Sequence, residues 1–401
     1  MTVFLRTVPV EEAIRVGCSI AVPPGEETSP LADAVGRVLA RDIIADVDIP
    51  GFDRSVVDGY AIRASDTVGA GEAIPAILTL AGTVKMGYPL EISLSDGECA
   101  YIPTGGELPG GADAVVMIEH SEAIDDQVLV KRPVASGENL IHRGEDFGKG
   151  KSAIMKGRRL SPPDIGVLAA VGCSVVPVYT IPRIGVISTG NELIPVKDSP
   201  SGSQIRDSNS VMLGAYLRAA GCEACLYGIV KDERDTLREI LHRALDENDA
   251  VILSGGSSKD ERDLCAELIA ESGEVLVHGV AIAPGKPTII GRAKGKPVLG
   301  LPGHPASALV VLDRIGRPLI AAMSGEIRRH ECTRTAVLAQ NIPSTRGRED
   351  YIRVRLDGKS AIPLFGKSGL LNTLVQSDGI LRIPAGSEGL EKGAEVEVIL
   401  W

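Results

Sequence analysis

The sequence predicts a multidomain α/β protein: one doubly wound α/β domain, two β-rich domains and a discontinuous N-terminal domain. Three observations lead there. At 401 residues the chain is longer than one hydrophobic core ordinarily serves. Its composition, 44% apolar and 24% charged, is that of a globular protein. Its hydrophobic pattern also changes rhythm repeatedly along the chain.

Residues around 10–20 and 30–41 (EEAIRVGCSIA, PLADAVGRVLA) have helical spacing with good helix formers between the apolar positions. Short alternating runs follow (AIPAILTLAG, ECAYIPTG, DAVVMIEH, DDQVLVKRPV), separated by Gly, Pro and Asp, and they read as a β module over 45–141. Helix and strand patterns return over 142–178, expected to pack back on 1–44 as one discontinuous domain. From 179 to 325, buried strands (RIGVISTG, EACLYGIV, DAVILSGG) alternate with amphipathic helices (SVMLGAYLRAAG, ERDTLREILHRALDE, LCAELIAESG). That alternation implies an open parallel sheet covered on both faces. Past 326 short strands return (TAVLAQNI, YIRVRLD, GILRIP, AEVEVILW), read as a C-terminal β-barrel.

Bulk properties exclude several functions. The formal charge of −11 repels polyanions, and aromatics make up only 3% of residues, so a nucleic-acid surface is not expected. No apolar stretch is long enough for a membrane span, and the first residues have no signal-peptide core. Seven scattered cysteines fit a reducing, cytoplasmic setting. Cys222 and Cys225 form the sole C-x-x-C and read as part of an apolar strand.

Ligands of doubly wound sheets sit beyond the carboxyl ends of the strands. Three polar, Gly-rich segments are expected there: Ser188–Glu192 (STGNE), Ser254–Ser258 (SGGSS) and Gly300–Pro305 (GLPGHP). Ser254, Gly255, Gly256 and Ser257 have the make-up of a phosphate cradle, with small residues, outward N–H groups and hydroxyls. Glu192 and Asp263 are expected to hold Mg²⁺ through carboxylate oxygens. Two other motifs fail. Gly366-Lys367-Ser368 lacks the leading glycine of a P-loop, because Ala361 stands there. Asp146-Phe147-Gly148 lacks the spacing of a kinase signature.

The segment DIPGFDRSVVDGYAIR (48–63), followed in order by PTGGELPGGADAVVMIEH, RGEDF, ISTGNEL, SGGSSKDERD, APGKPTIIG, GLPGHPASA, GREDYIRVRL and SGLLNTLVQSDG, resembles the MoeA family of molybdopterin molybdenumtransferases, which includes the gephyrin E domain. The similarity spans essentially the whole chain. It implies an elongated four-domain subunit with a MogA-like α/β domain, a homodimer, and a cleft between that domain and the β-rich domain of the opposite subunit. It also implies insertion of molybdate into adenylylated molybdopterin with release of AMP, and the pterin adenylyltransferase as partner. In that comparison Asp58, Glu192 and Asp263, then Asp146 and Asp232, match acidic catalytic positions. Lys286, Arg353 and Ser368 match oxyanion-binding positions, and Thr104 is a donor to phosphate or pterin.

Taken without the resemblance, these residues have plainer readings. Asp58 would build an Asx-turn, Lys286 would be a solvated turn lysine, and Arg353 an exposed strand arginine. The sequence also departs from the family pattern: Asp260 stands where a glycine is expected, Ala283 where a basic residue is common, and His304 where asparagine is usual. A tungstate-inserting paralogue, a non-catalytic pterin- or peptide-binding scaffold and a bare adenylyltransferase are the competing expectations. The set of acids speaks against a scaffold, and the extra β-rich domains speak against the adenylyltransferase.

Overall fold

The computed structural model of the chain describes residues 7–88, 91–255, 259–327 and 331–401, and the side chains of 259–263 are not among those described. It is a mixed α/β multidomain protein. At its centre is a six-stranded sheet in the order Glu223–Val230, Arg183–Thr189, Ala250–Ser254, Lys296–Leu301, Ile289–Ala293, Gly273–His278. Side chains alternate across it, as the pleat requires. Ile184, Val186 and Ile252 join the core under helices Asn209–Ala219, Pro305–Val311 and Arg317–Met323, while Ile187, Val251 and Leu253 pack under Arg234–Glu247 and Lys259–Ser272. Four strands are parallel, but the last two pair antiparallel, so the expected all-parallel sheet has a mixed edge. The reason is local: the strands at 289–293 and 296–301 are joined by a tight turn, with Lys294 at positive φ and Gly295, which leaves no room for a crossover helix.

Helix Val10–Ser19 lays Val10, Ala13 and Gly17 against this domain. Residues 30–41, expected to be helical, are not. Strand Glu26–Pro30 pairs antiparallel with Val175–Tyr179, a single 3₁₀ turn follows at Leu31–Asp33, and Gly36 at φ +79 breaks any continuation. The apolar residues there serve a β-type packing: Leu39 and Ala34 share a core with Ile154, Leu160, Leu168, Val176 and Val178. Chain segments far apart in sequence therefore form one unit, as Ile43–Ile44 pairing with Ser152–Ile154 also shows.

Between them lies an open six-stranded sheet in the order Ala114–Met117, Gly59–Ile62, Glu98–Ile102, Ala76–Thr83, Gln127–Val130, Ser121–Ile124. Gly59 is obligatory here, since a Cβ would sit 1.9 Å from the Val116 carbonyl oxygen. At the C-terminal end, strands Thr333–Leu338, Glu349–Asp357, Ser360–Pro363, Gly379–Ile383 and Glu395–Leu400 close on themselves as a five-stranded barrel. A sixth short strand, Ile282–Ala283, reaches out of the α/β domain and pairs in parallel with Glu349 and Asp350. No helix among the described residues is long and apolar enough to cross a membrane.

Helix Pro162–Ala170 opens with a capping box: Asp164 accepts from the Ser161 backbone at 2.8 Å and hydroxyl at 2.5 Å, and pairs with Arg158 at 2.7 Å. Burial acts to raise the Asp164 pKa, but the Ser161 bonds and Arg158 outweigh it and hold the carboxyl below its ordinary range. A carboxylate favoured in this way stabilises the fold above its unfolded pKa, and the effect is lost as pH falls through the folded value. Asp164→Asn is expected to cost about 1 kcal/mol at neutral pH. In urea denaturation, its gap from the parent should close as the solution is acidified.

Candidate functional site

The sheet order places a topological switch between the 183–189 and 250–254 strands, because the chain leaves the first strand toward one edge and returns on the other side of it. A crevice is expected at that point, and one is there. It has a volume of about 180 Å³ and is lined by Ser188, Glu192, Asn209, Ser254, Gly255 and His304, among others. Gly255 adopts φ +150, and a Cβ there would lie 2.1 Å from the Thr189 carbonyl oxygen, so only glycine lets the two strand ends approach this closely.

Two polar groups in the crevice lack hydrogen-bond partners among the described residues. Ser188 is fully buried with its hydroxyl unbonded, and Asn209 Oδ1 is likewise buried without a hydrogen bond. Native interiors seldom leave such groups unpaired. The Asn209 amide nitrogen is used: it donates to Ser254 Oγ at 3.1 Å and to the Gly303 carbonyl at 2.8 Å. Glu192 is exposed, and its carboxylate folds back over Gly190. Beside it, Asp232 accepts the Asn191 N–H at 3.1 Å and its own N–H reaches Asn191 Oδ1 at 3.4 Å, tying two strand-end loops together.

A second pocket of about 350 Å³ adjoins the first and shares Gly303 and His304 with it. It is lined by Gly285 and Lys286 from the α/β domain and by Arg348 and Ser368 from the barrel. Two backbone ties set the walls: Glu349 N–H donates to Ala281 at 2.8 Å, and Ala306 N–H donates to Ser368 at 3.1 Å. The Ser368 hydroxyl lies 2.9 Å from His304 Nδ1. Arg348 forms an ion pair with Asp350 at 2.9 Å, without the alignment of a hydrogen bond. In a chain of net charge −11 this is a local concentration of positive charge.

Arg353 does not line this pocket, nor is it the exposed strand arginine of the plainer reading. It is 6% exposed, donates Nη2 to the Gly366 carbonyl at 2.8 Å, and has no hydrogen bond at Nε or Nη1. Its own carbonyl accepts the Leu364 N–H at 2.8 Å, so it grips both sides of the loop leading to Ser368. Burial lowers its pKa from the ordinary value, yet an arginine remains charged.

The remaining expected residues lie elsewhere, Asp58 and Thr104 at the ends of strands of the β-rich sheet and Asp146 in the segment after it. Thr104 donates to Asp58 Oδ1 through its N–H at 2.7 Å and its hydroxyl at 3.1 Å. Both are exposed, as is Asp146, whose N–H donates to Ile49 at 3.1 Å. None of the three lines either pocket. Gly256 and Ser257 lie outside the described residues, as does the Asp263 side chain. Sequence reading overlooked Asn209 and Arg348. The polar run before the SVMLGAYLRAAG helix was the one signal for Asn209, and nothing in GRED set Arg348 apart from other arginines.

Comparison with known proteins covers nearly the whole chain. Residues 8–172 match the family described as the MoeA N-terminal region (domain I and II), 185–322 the probable molybdopterin binding domain, and 335–401 the MoeA C-terminal region (domain IV). The molybdopterin molybdenumtransferase of Staphylococcus aureus is 32% identical over 401 residues, covering 98% of this chain and 95% of the relative. That of Bacillus subtilis is 32% identical over 403 residues, with 98% and 94% covered. Among solved structures, a molybdopterin biosynthesis MoeA protein from Pyrococcus horikoshii superposes with a TM-score of 0.85 at 34% identity, covering 99% of this chain and all of that one.

Asn209→Ala removes the tie between Ser254 and Gly303. It is expected to destabilise the fold by about 1–3 kcal/mol, read as a shift in the denaturant midpoint without a change in slope.

Proposed function

The chain belongs to the MoeA family of molybdopterin molybdenumtransferases, enzymes of molybdenum cofactor biosynthesis, and on that premise we propose a division of labour between its two pockets. The Lys286 pocket takes molybdate. The Ser188–Ser254 crevice takes the phosphate end of adenylylated molybdopterin, so that water cleaves the phosphoanhydride and AMP leaves, and molybdenum passes to the dithiolene sulfurs, whose two protons leave with one oxo group as water. The observation that carries this reading is adjacency: a cationic pocket and a crevice of unsatisfied polar groups share Gly303 and His304.

Chemistry supports the assignment. A molybdate dianion approaching an already anionic pterin phosphate needs fixed positive charge, and Lys286 supplies a point charge beside the Ser368 hydroxyl. Arg353 is a positioning residue in this scheme. It fixes the loop that presents Ser368 and adds a buried charge behind it. In the crevice, the Gly255 backbone and Ser254 cradle phosphate. The orphaned oxygens of Ser188 and Asn209, together with the Glu192 carboxylate, are hard donors of the kind Mg²⁺ prefers, and Asp263 is the expected further ligand. A bound Mg²⁺ would neutralise charge developing on the cleaved anhydride. Asp232 fixes the loop bearing Glu192.

Asp58, Thr104 and Asp146 are assigned to the same reaction through a second subunit. A homodimer would bring the β-rich sheet of one chain over the crevice of the other. The exposed apolar side chains of Ile44, Val47, Phe52, Val56 and Met155 are consistent with a contact surface on that part of the molecule. The seven cysteines, none of them in a disulfide, fit an enzyme working in the cytoplasm, where its pterin would come from the adenylyltransferase.

The test is an anaerobic assay on adenylylated molybdopterin, following AMP release while molybdate and tungstate are titrated separately. Lys286→Ala should raise the half-saturating molybdate concentration roughly tenfold or more, the loss of one charge-assisted contact. An unchanged molybdate dependence would remove the pocket from the scheme. Asp58→Asn and Asp263→Asn should keep the dimer in sedimentation yet abolish AMP release, and full turnover in both would dismiss these acids from the mechanism.

A further inference from the structure

We propose that His304 sets the proton dependence of oxyanion capture, by deciding whether the Ser368 hydroxyl points its hydrogen at the ring or into the pocket. The inference rests on the reading that the Lys286 pocket takes molybdate.

The geometry is fixed from two sides. His304 precedes helix Pro305–Val311, and its carbonyl accepts the Ala308 N–H at 3.0 Å. Ser368 belongs to the barrel loop, and its carbonyl accepts the Ala306 N–H at 3.1 Å. Ring and hydroxyl are thus held by separate backbone ties, with Nδ1 and Oγ 2.9 Å apart. One hydrogen occupies that gap. With a neutral ring carrying its proton on Nε2, Ser368 donates to Nδ1 and presents only lone pairs to the pocket, which repel an oxyanion. With an imidazolium ring, Nδ1–H donates to Oγ, and the hydroxyl hydrogen is released toward the anion. The same protonation adds a positive charge to the pocket wall.

The charges around the ring come from both pockets and from the Ser368 loop. Lys286 and Arg348 line the pocket with it, Arg206 lines the crevice, Lys367 precedes Ser368 in sequence, and Arg353 is buried beneath the loop. All five oppose protonation. Glu192 and Asp207, on the crevice side, favour it. A bound dianion adds the term that tips the balance toward imidazolium. Binding therefore takes up a proton. Because the ring is more basic with the anion bound, the advantage is complete below its anion-free pKa. It is lost as pH rises toward the bound-state value. A neutral ring with its proton on Nδ1 would also free the hydroxyl, leaving only the added ring charge to vary with pH and a shallower slope.

The experiment is calorimetric titration of the full-length protein with sodium molybdate between about pH 6 and about pH 8.5, around the range in which histidine titrates. Two buffers of different ionisation enthalpy count the protons. The parent should weaken by up to about tenfold per pH unit across the transition and take up as much as one proton. His304→Asn, which keeps a favourable residue before the helix, should bind with a flat profile and no uptake. A parent slope surviving in His304→Asn overturns the proposal, as does a flat profile in the parent. Lys286→Ala separates the premise from the inference: unchanged affinity there overturns both, while weakened affinity beside a slope that ignores His304 overturns the inference alone.

Discussion

The site depends on a ten-residue stretch of backbone, 279–288, which three parts of the molecule hold at once. Val8 exchanges hydrogen bonds with Gly279 and Ala281 at 3.1 and 2.8 Å, bringing in the segment before the N-terminal helix. Ile282 and Ala283 pair with the barrel strand Glu349–Asp357, and Val280 N–H closes the turn onto the Lys286 carbonyl at 2.9 Å. Beneath it, one continuous core joins Val10 and Ala13, Val280 and Ile282, Leu312 and Ile315, and the barrel residues Tyr351, Ile380 and Ile399. Lys286 is therefore placed in one pocket with Ser368 and Arg348 by main-chain pairing and close packing, which tolerate little displacement.

Electrostatics give that placement its purpose. The chain is anionic overall, and its surface arginines are mostly spent in exposed ion pairs of small energetic value, such as Arg15 with Glu12 or Arg234 with Glu267 and Glu271. Arg353 differs from these. It is buried, holds a carbonyl rather than a carboxylate, and leaves two N–H groups unsatisfied. A cation kept without a counterion usually weakens a fold. In the proposed scheme its cost is set against a loop that stays cationic and rigid beside the molybdate pocket.

Much of this was legible in the chain. Strand-end loops STGNE, SGG and GLPGH were expected at one edge of a doubly wound sheet, and the parallel strands converge there because helices of suitable length separate them. The alternating runs past 326 were expected to form a barrel, and they close into one. Residues 30–41 were misread because spacing alone does not separate a helix from irregular chain that buries Ala34 and Leu39. Only Gly36 in the left-handed region gives the break away. The antiparallel edge was missed because a tight Lys294–Gly295 turn is brief against the long helical rhythm before it. Arg353 and Asn209 show a deeper limit. Periodicity says which face a residue occupies, whereas their roles depend on the Gly366 and Gly303 carbonyls, which only tertiary packing brings near.

The mixed edge of the central sheet has a consequence for how this chemistry can vary. Residues 279–288 are the connection of an antiparallel hairpin, with His278 facing Ile289 across its base. Anchored at its base by the sheet and at its tip by the barrel, the insert is a cartridge: its unburied side chains, Lys286 among them, can be exchanged while Val280, Ile282 and Gly285 keep the frame around it the same. On the proposed assignment, lineages selecting a different oxyanion, or an engineer grafting one selectivity onto another, have the unburied positions of this ten-residue segment to rewrite.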